Sequence, residues 1–292
     1  MLLDREVTPE GSGAAGLALR PRVGPTAKGL LLTVLGEFVL RRDRPVWTVT
    51  LLTVLSALGF SEKNGRQAIA RLADQGLLRA ERLGRRTRWH LTDQAVGLLR
   101  EGTERIFAFL GDGQQWDGRW LVVIFSVPED SRHARSQLRK ELGFAGFGFP
   151  APGVAVSAHV ERQARAGEIL DRLGIGSSCL SFIGEAGFLA GDAELARRGW
   201  DLEQLAGGYQ RFIRSFTGRR APEPADACRA VTELVHEWRR FPFVDPELPE
   251  DLLPAQWPGR PAKRLFDRCH QQWLTPALEW FDRIDDGAAP TA

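Results

Sequence analysis

Eight basic side chains crowd the segment from Ser61 to Leu91, SEKNGRQAIARLADQGLLRAERLGRRTRWHL: Lys63, Arg66, Arg71, Arg79, Arg82, Arg85, Arg86 and Arg88. Three acids, Glu62, Asp74 and Glu81, leave a local charge of +5. The whole 292-residue chain carries only +2, so the rest sums to about −3. Charge gathered in this way suits a polyanion, and a phosphate backbone would explain it. The same segment carries base-reading chemistry. Arg66 and Lys63 match guanine O6 and N7, whereas Asn64 and Gln67 match adenine. Arg82, Arg85, Arg86 and Arg88 suit phosphate oxygens or the minor groove. The sequence does not separate residues that read bases from those that only position the protein.

These side chains need a helix and a hairpin to present them. At 3.6-residue spacing Lys63, Arg66, Gln67, Ala70 and Asp74 fall on one side, with Gly65, Ala68, Ile69, Leu72 and Ala73 on the other. Gly65 costs such a helix roughly 1 kcal/mol against Ala, and close packing against a preceding helix is the expected compensation. A tight hairpin follows, with Gly84-Arg85-Arg86 at its tip. Upstream, Ala27, Leu30, Leu31, Val34, Leu35, Phe38 and Val39 predict an amphipathic helix. Leu51, Val54, Leu55 and Leu58 predict a second, closed by Gly59. Three helices and a basic wing make a winged helix-turn-helix over 26–111, in which a long helix runs from Thr92 through Leu110. Residues 1–25, punctuated by Gly, Ala and Pro, read as a mobile tail.

The composition changes after a spacer, Gly111 to Gly118. Trp120-Leu-Val-Val-Ile-Phe-Ser126 is an apolar run of strand length, and a basic amphipathic helix follows from about Ser131 to Leu142. Two short strands, Phe144 to Phe149 and Val154 to His159, flank Pro150-Ala-Pro-Gly153. A helix over Glu161 to Leu173 and a last strand near Ser178 to Ile183 complete βαββαβ, the order of a ferredoxin-like domain over 112–190. From 191 to 292 the pattern is helical. One face carries Leu202, Leu205, Ala206, Tyr209, Phe212, Ile213 and Phe216, and a further helix covers Ala225 to Arg240. Six prolines between Pro242 and Pro261 mark an extended connection before a final helix to Phe281. The fold class expected is therefore α+β, in three domains.

Hydrophobic content of 43% and charged content of 26% describe a globular protein. Cys179, Cys228 and Cys269 form no C-x-x-C pair, which argues against disulfides and structural zinc and fits a reducing cytoplasm. No secretory leader and no apolar run of membrane-spanning length is present, so no membrane partner is expected. His236-Glu237-Trp238-Arg239-Arg240 lacks the second histidine of a zinc-protease helix. Gly143-Phe-Ala-Gly146-Phe-Gly148 lacks the strand-then-helix setting of a dinucleotide loop and reads as a turn and bulge. No GxSxG or Walker-type motif occurs. Neither metal nor cofactor is expected, and no catalytic residue.

Three blocks of this sequence together resemble the PaaX family of bacterial transcriptional repressors. The first contains GRQAIARLADQGLL and GRRTRWHLT. The second contains WDGRWLVVIFSVPEDSRHARSQLRKELGFAGFG and APGVAVSA. The third contains WDLEQLAGGYQRF and VHEWRRFPFVDPELPEDLLPAQWPG. The resemblance covers about 26 to 283. It implies a winged-helix domain on an operator in double-stranded DNA, a middle domain similar to CRISPR-associated endoribonucleases, and a helical C-terminal domain. It also implies a homodimer that represses an aromatic (phenylacetate-type) catabolic operon and is released by an acyl-CoA, typically phenylacetyl-CoA. Arg66, Arg71 and Leu72 match the family's recognition helix, and Gly84, Arg85 and Arg86 its wing tip. Asn64-Gly65 departs from the commoner alanine-like residue at the helix start, so a different base sequence is expected. For the effector, Trp238, Arg239 and Arg240 offer an aromatic surface and phosphate-pairing arginines. The competing reading ties that helix to Asp245 and Glu247 by salt bridges. The ribonuclease likeness raises a metal-dependent nuclease as the alternative function. Such enzymes carry an acid at the end of the first strand, where this chain has Phe125-Ser126-Val127-Pro128 and reaches Glu129 only afterwards.

Overall fold

A computed structural model describes residues 24–42, 44–111, 116–126 and 132–289. The tail expected over 1–25 therefore lies outside these residues up to position 23, as do Val127, Pro128, Glu129 and the start of the helix expected at Ser131.

The first unit begins with α1 (Ala27–Val34), whose N-cap Thr26 accepts a hydrogen bond from the Gly29 N–H at 3.1 Å. Leu30, Leu31, Val34, Leu35, Phe38 and Val39 are all at most 2% exposed, as the spacing predicts. The helix does not stay regular: Leu35–Val39 form a π turn and Leu40–Arg42 a 3-10 turn. In the π turn Glu37 is buried and meets Nε2 of His270 at 2.9 Å. A two-residue strand β1 (Val46–Trp47) leads into α2 (Thr48–Ala57) and then α3 (Glu62–Asp74), capped by Ser61 on the Asn64 N–H. Strands β2 (Leu78–Leu83) and β3 (Arg86–Leu91) pair from Leu78↔Leu91 to Leu83↔Arg86. Their two-residue turn puts Gly84 at φ +60°, a value for which glycine is the residue of choice. Strand β1 adds to the far side of β3, giving the order β1-β3-β2. Thr92 then caps α4 (Asp93–Ala108).

The second unit is a four-stranded antiparallel sheet of order β5-β6-β4-β7, from β4 (Trp120–Phe125), β5 (Gly148–Ala151), β6 (Val154–Ser157) and β7 (Cys179–Gly184). Helices α5 (Arg132–Phe144) and α6 (Gln163–Arg172) bury Leu138, Leu142, Ala166, Ile169 and Leu170 against Leu121, Val123 and Phe125. The strand expected from Phe144 begins only at Gly148, because α5 runs on through Phe144 and a turn at Gly146, φ +83°, intervenes. On the other face Trp120 and Val156 pack against α7 (Asp192–Gly199). Ile124, Leu180 and Phe182 remain 41%, 63% and 53% exposed.

The last helices are α8 (Leu202–Phe216), α9 (Pro224–Trp238) and α10 (Gly259–Asp286). Two short 3-10 turns, Phe241–Phe243 and Glu250–Leu252, punctuate the proline-rich connection. These helices share one apolar core with the first unit: Leu31, Phe38, Leu51, Leu55 and Ile69 belong to the same cluster as Tyr209, Trp238, Phe266 and Phe281. Phe38 stacks on Phe281 at 5.0 Å and 11°. Trp238 sits at the centre, stacked on Phe266 at 4.9 Å, with its indole N–H donating to the Ile106 carbonyl.

Candidate nucleic-acid interface

Helix α3 separates its faces sharply. Gly65, Ala68, Ile69 and Leu72 are buried, whereas Lys63, Asn64, Arg66, Gln67 and Arg71 are exposed. Gly65 is where α2 and α3 meet: a Cβ there would lie 2.7 Å from Leu52 Cδ2 and 3.4 Å from Leu55 Cδ1. The glycine thus lets the buried face of α3 sit on α2 without a gap, leaving the polar face outward. Arg66 is held along the helix by Glu62, Nη2 to Oε1 at 2.7 Å, with both side chains more than 60% exposed. Such a pair contributes little and is easily exchanged for a phosphate. Among the described residues Lys63 and Arg71 make no ion pair.

The hairpin divides its arginines into two kinds. Arg82 and Arg85 are exposed and carry no ion pair among the described residues. Arg88 donates twice to Glu81 across the strands, at 2.8 and 2.7 Å, and His90 Nε2 lies 2.5 Å from the same carboxylate. The Arg88 hydrogen bond, followed by His90, holds the Glu81 carboxyl down at about 2. Arg86 donates from Nη1 to the backbone carbonyl of Ala288, past the end of α10. Phosphate binding through Arg86 or Arg88 would therefore compete with an existing partner. Through Lys63, Arg71, Arg82 or Arg85 it would not.

A cluster that sequence reasoning missed holds this unit in place. The Asp285 carboxylate, 3% exposed, accepts from the Trp47 N–H at 3.1 Å and the Thr50 hydroxyl at 2.7 Å, both at the N-terminal end of α2. It also accepts from Arg42 Nη2 at 2.7 Å. Asp282 lies 2.8 Å from Arg42 Nε, and Arg44 bridges Asp282 and Asp286. An N-cap carboxylate for α2 thus comes from the far end of the chain. One signal was present in the sequence: Asp282, Asp285 and Asp286 gather at the C-terminal end of the final helix, where negative charge opposes the dipole unless cations from elsewhere meet it.

The residues expected at an effector site are not brought together as a pocket. Trp238 is fully buried in the core. Arg239 packs against the first turn of α1, its Nη2 3.4 Å from where a Gly29 Cβ would be, and its Nε is buried with no partner. Burial lowers its pKa to about 10. Arg240 pairs loosely with Glu237 at 3.5 Å, and neither arginine is ion-paired to Asp245 or Glu247. Asp245 instead accepts from the Tyr209 hydroxyl at 2.5 Å and the Glu247 N–H at 2.7 Å, and burial raises its pKa to about 6. Among the described residues no group of three His, Cys, Asp or Glu side chains is placed to hold a metal, and no helix is long and apolar enough to cross a membrane.

Comparison with known proteins gives matches to one family in three successive parts of the chain. Residues 26–95 match the model of a PaaX-like protein, residues 113–196 that of the PaaX protein central Cas2-like domain, and residues 200–283 that of the PaaX-like protein C-terminal domain. The chain is 30% identical over 260 residues to the transcriptional repressor PaaX of Escherichia coli (strain K12), covering 85% of this chain and 81% of that one. Its fold is similar to that of the uncharacterized protein Rv0674 from Mycobacterium tuberculosis. That match has a TM-score of 0.61 and 19% identity, and covers 89% of this chain and 99% of the other.

Proposed function

The chain belongs to the PaaX family, and from that premise we propose that it is a DNA-binding transcriptional repressor of an aromatic, phenylacetate-type catabolic operon. Its first unit is read as a winged helix-turn-helix, with α3 in the major groove and the β2–β3 wing on the backbone. The observation that carries this reading is the exposed row Lys63, Asn64, Arg66, Gln67 and Arg71 on α3, set beside exposed Arg82 and Arg85 on the wing. The middle unit is read as ferredoxin-like, since four antiparallel strands in the order β5-β6-β4-β7 with two helices on one face suit βαββαβ connectivity. It serves here for dimerisation. The uncovered Ile124, Leu180 and Phe182 on β4 and the edge strand β7, with Phe188 and Leu189 95% and 84% exposed, suit a second copy related by a two-fold axis. Two recognition helices would then meet half-sites ~34 Å apart, or a multiple of that. Release is by an acyl-CoA such as phenylacetyl-CoA.

A gel-shift titration on the intergenic DNA of the neighbouring operon tests the core of the reading. Binding should weaken steeply with salt, the logarithmic slope being about −0.9 per phosphate contacted. Arg66→Ala should cost on the order of 1–3 kcal/mol at the operator. Arg85→Ala should weaken all DNA sequences alike and reduce the salt slope by about 1. Unchanged operator affinity in the Arg66 variant would remove that residue from the base-reading set. Cleavage of labelled RNA or DNA with Mg²⁺ or Mn²⁺ would instead favour a nuclease.

A further inference from the structure

The end of α4, the first turn before α6, the proline-rich connection and the start of α10 line an open cavity of about 1000 Å³. Pockets of this size take small organic ligands. Three features mark it as built for one. Leu110, Glu247 and Gln256, with φ of +53°, +59° and +61°, are the non-glycine residues in the left-handed region among the described residues, and all three line this cavity. Backbone strain of that kind gathers where ligands are clamped. Trp116 and Trp257 supply aromatic surface in the wall. Arg162 supplies a cation: among the described residues its one hydrogen bond is a 3.3 Å contact from Nη1 to the Gly146 carbonyl, and none of their carboxylates lies within ion-pair distance. The guanidinium reaches that place only because residue 146 is glycine, since a Cβ there would lie 1.7 Å from Nη1.

We propose that this cavity is a ligand site for an arylacetyl group, its ring against Trp116 and Trp257 and its carbonyl or carboxylate oxygen received by Arg162. The inference deepens the effector-released reading above and rests on it for the choice of ligand. The free acid and the thioester share this chemistry. At the rim Glu247 and Asp251 face solvent, while Glu161 meets His159 Nδ1 at 3.2 Å and Glu250 is paired with Arg260. Their charge keeps a polyanionic nucleotide outside and admits only the acyl arm of a thioester. Occupancy can be felt at the DNA-binding unit through two rigid elements. Helix α4 ends at Ala108 in the cavity region and starts directly behind β3. Helix α10 carries Arg260 and Arg264 in the wall and, ~27–39 Å further along at 1.5 Å per residue, the aspartates that hold Arg42, Arg44 and α2.

The test is calorimetric titration of the full chain with phenylacetate and, separately, phenylacetyl-CoA, in the wild type, Arg162→Gln and Ala255→Trp. Ala255 is an exposed wall residue, so the second variant fills the cavity even if the first folds poorly. One probe should bind the wild type, and each variant should weaken it about tenfold or more. Binding of that probe with unchanged affinity in both variants would overturn the site, and so would failure of both probes to bind the wild type. A parallel gel shift separates the two readings. Release of operator DNA by phenylacetyl-CoA with the same midpoint in wild type and variants sinks the cavity and keeps the effector. Variant-sensitive binding with no effect on DNA keeps the cavity and sinks the effector.

Discussion

At the scale of single residues, partners decide what a charge can do. Arg85 and Arg88 are three positions apart on one basic hairpin, yet Arg85 is free for phosphate and Arg88 is committed to Glu81. Asp245 and His236 show the same dependence for protonation. Burial raises Asp245 to about 6 from an ordinary 3.8, so its folded form holds a proton that the unfolded chain releases, and stability falls as pH rises between those values. Burial, with Arg239 and Arg240 nearby, lowers His236 to about 3 from 6.5, so acidification through that range favours the unfolded chain. Between about pH 4 and 6 the two slopes oppose each other. Asp245→Asn should leave the histidine's slope alone, with stability rising by about 1.4 kcal/mol per pH unit. Urea denaturation at pH 4, 5 and 6 would measure it, and a flat profile in the variant would refute the pairing of these two groups.

At the scale of elements, the contact between α2 and α3 and the clamp on α2 set the pose of α3. Gly65→Ala would gain about 1 kcal/mol of helix propensity but displace the Leu52 side chain, so its thermal midpoint should stay near the wild type. Gly65→Leu should overpack the contact and cost about 1–3 kcal/mol. The Asp285 clamp is the stronger constraint. Asp285→Ala leaves the Arg42 side chain, 7% exposed, without its buried carboxylate, and should destabilise by about 3–5 kcal/mol. Arg44→Ala removes only pairs whose partners are 43% and 64% exposed, and should cost under about 1 kcal/mol. Equal midpoints for the two variants in chemical denaturation would show that Asp285 is not the anchor.

At the scale of the whole molecule, one core serves both ends of the chain. Phe38, in the π turn after α1, stacks on Phe281 of α10, and Leu31, Val39 and Ile69 share their cluster with Trp238. A fragment of residues 24–111 would expose these groups, and should lack a cooperative thermal transition by circular dichroism. A sharp transition in the isolated fragment would contradict the shared core.

The helices and strands were readable from sequence because each is a local periodicity: α1, α3 and α8 bury the residues that 3.6-residue spacing selects, and Gly84 marks the hairpin turn by backbone geometry alone. The exposure of Lys63, Arg66 and Gln67 was readable for the same reason, since the opposite face of α3 is apolar. The strand expected at Phe144 failed because Phe144 and Phe147 are equally apolar, and only packing tells a helix end from a strand start. Tertiary structure alone decided which arginines are free, because the partners of Arg42 and Arg86 lie more than two hundred positions away. It alone buried Trp238 and gathered Leu110, Arg162 and Trp257 around one cavity. Short-range pattern fixes secondary structure and which face turns outward. Long-range pairing of charge and apolar surface has no period along the chain, and it determines what each outward side chain meets.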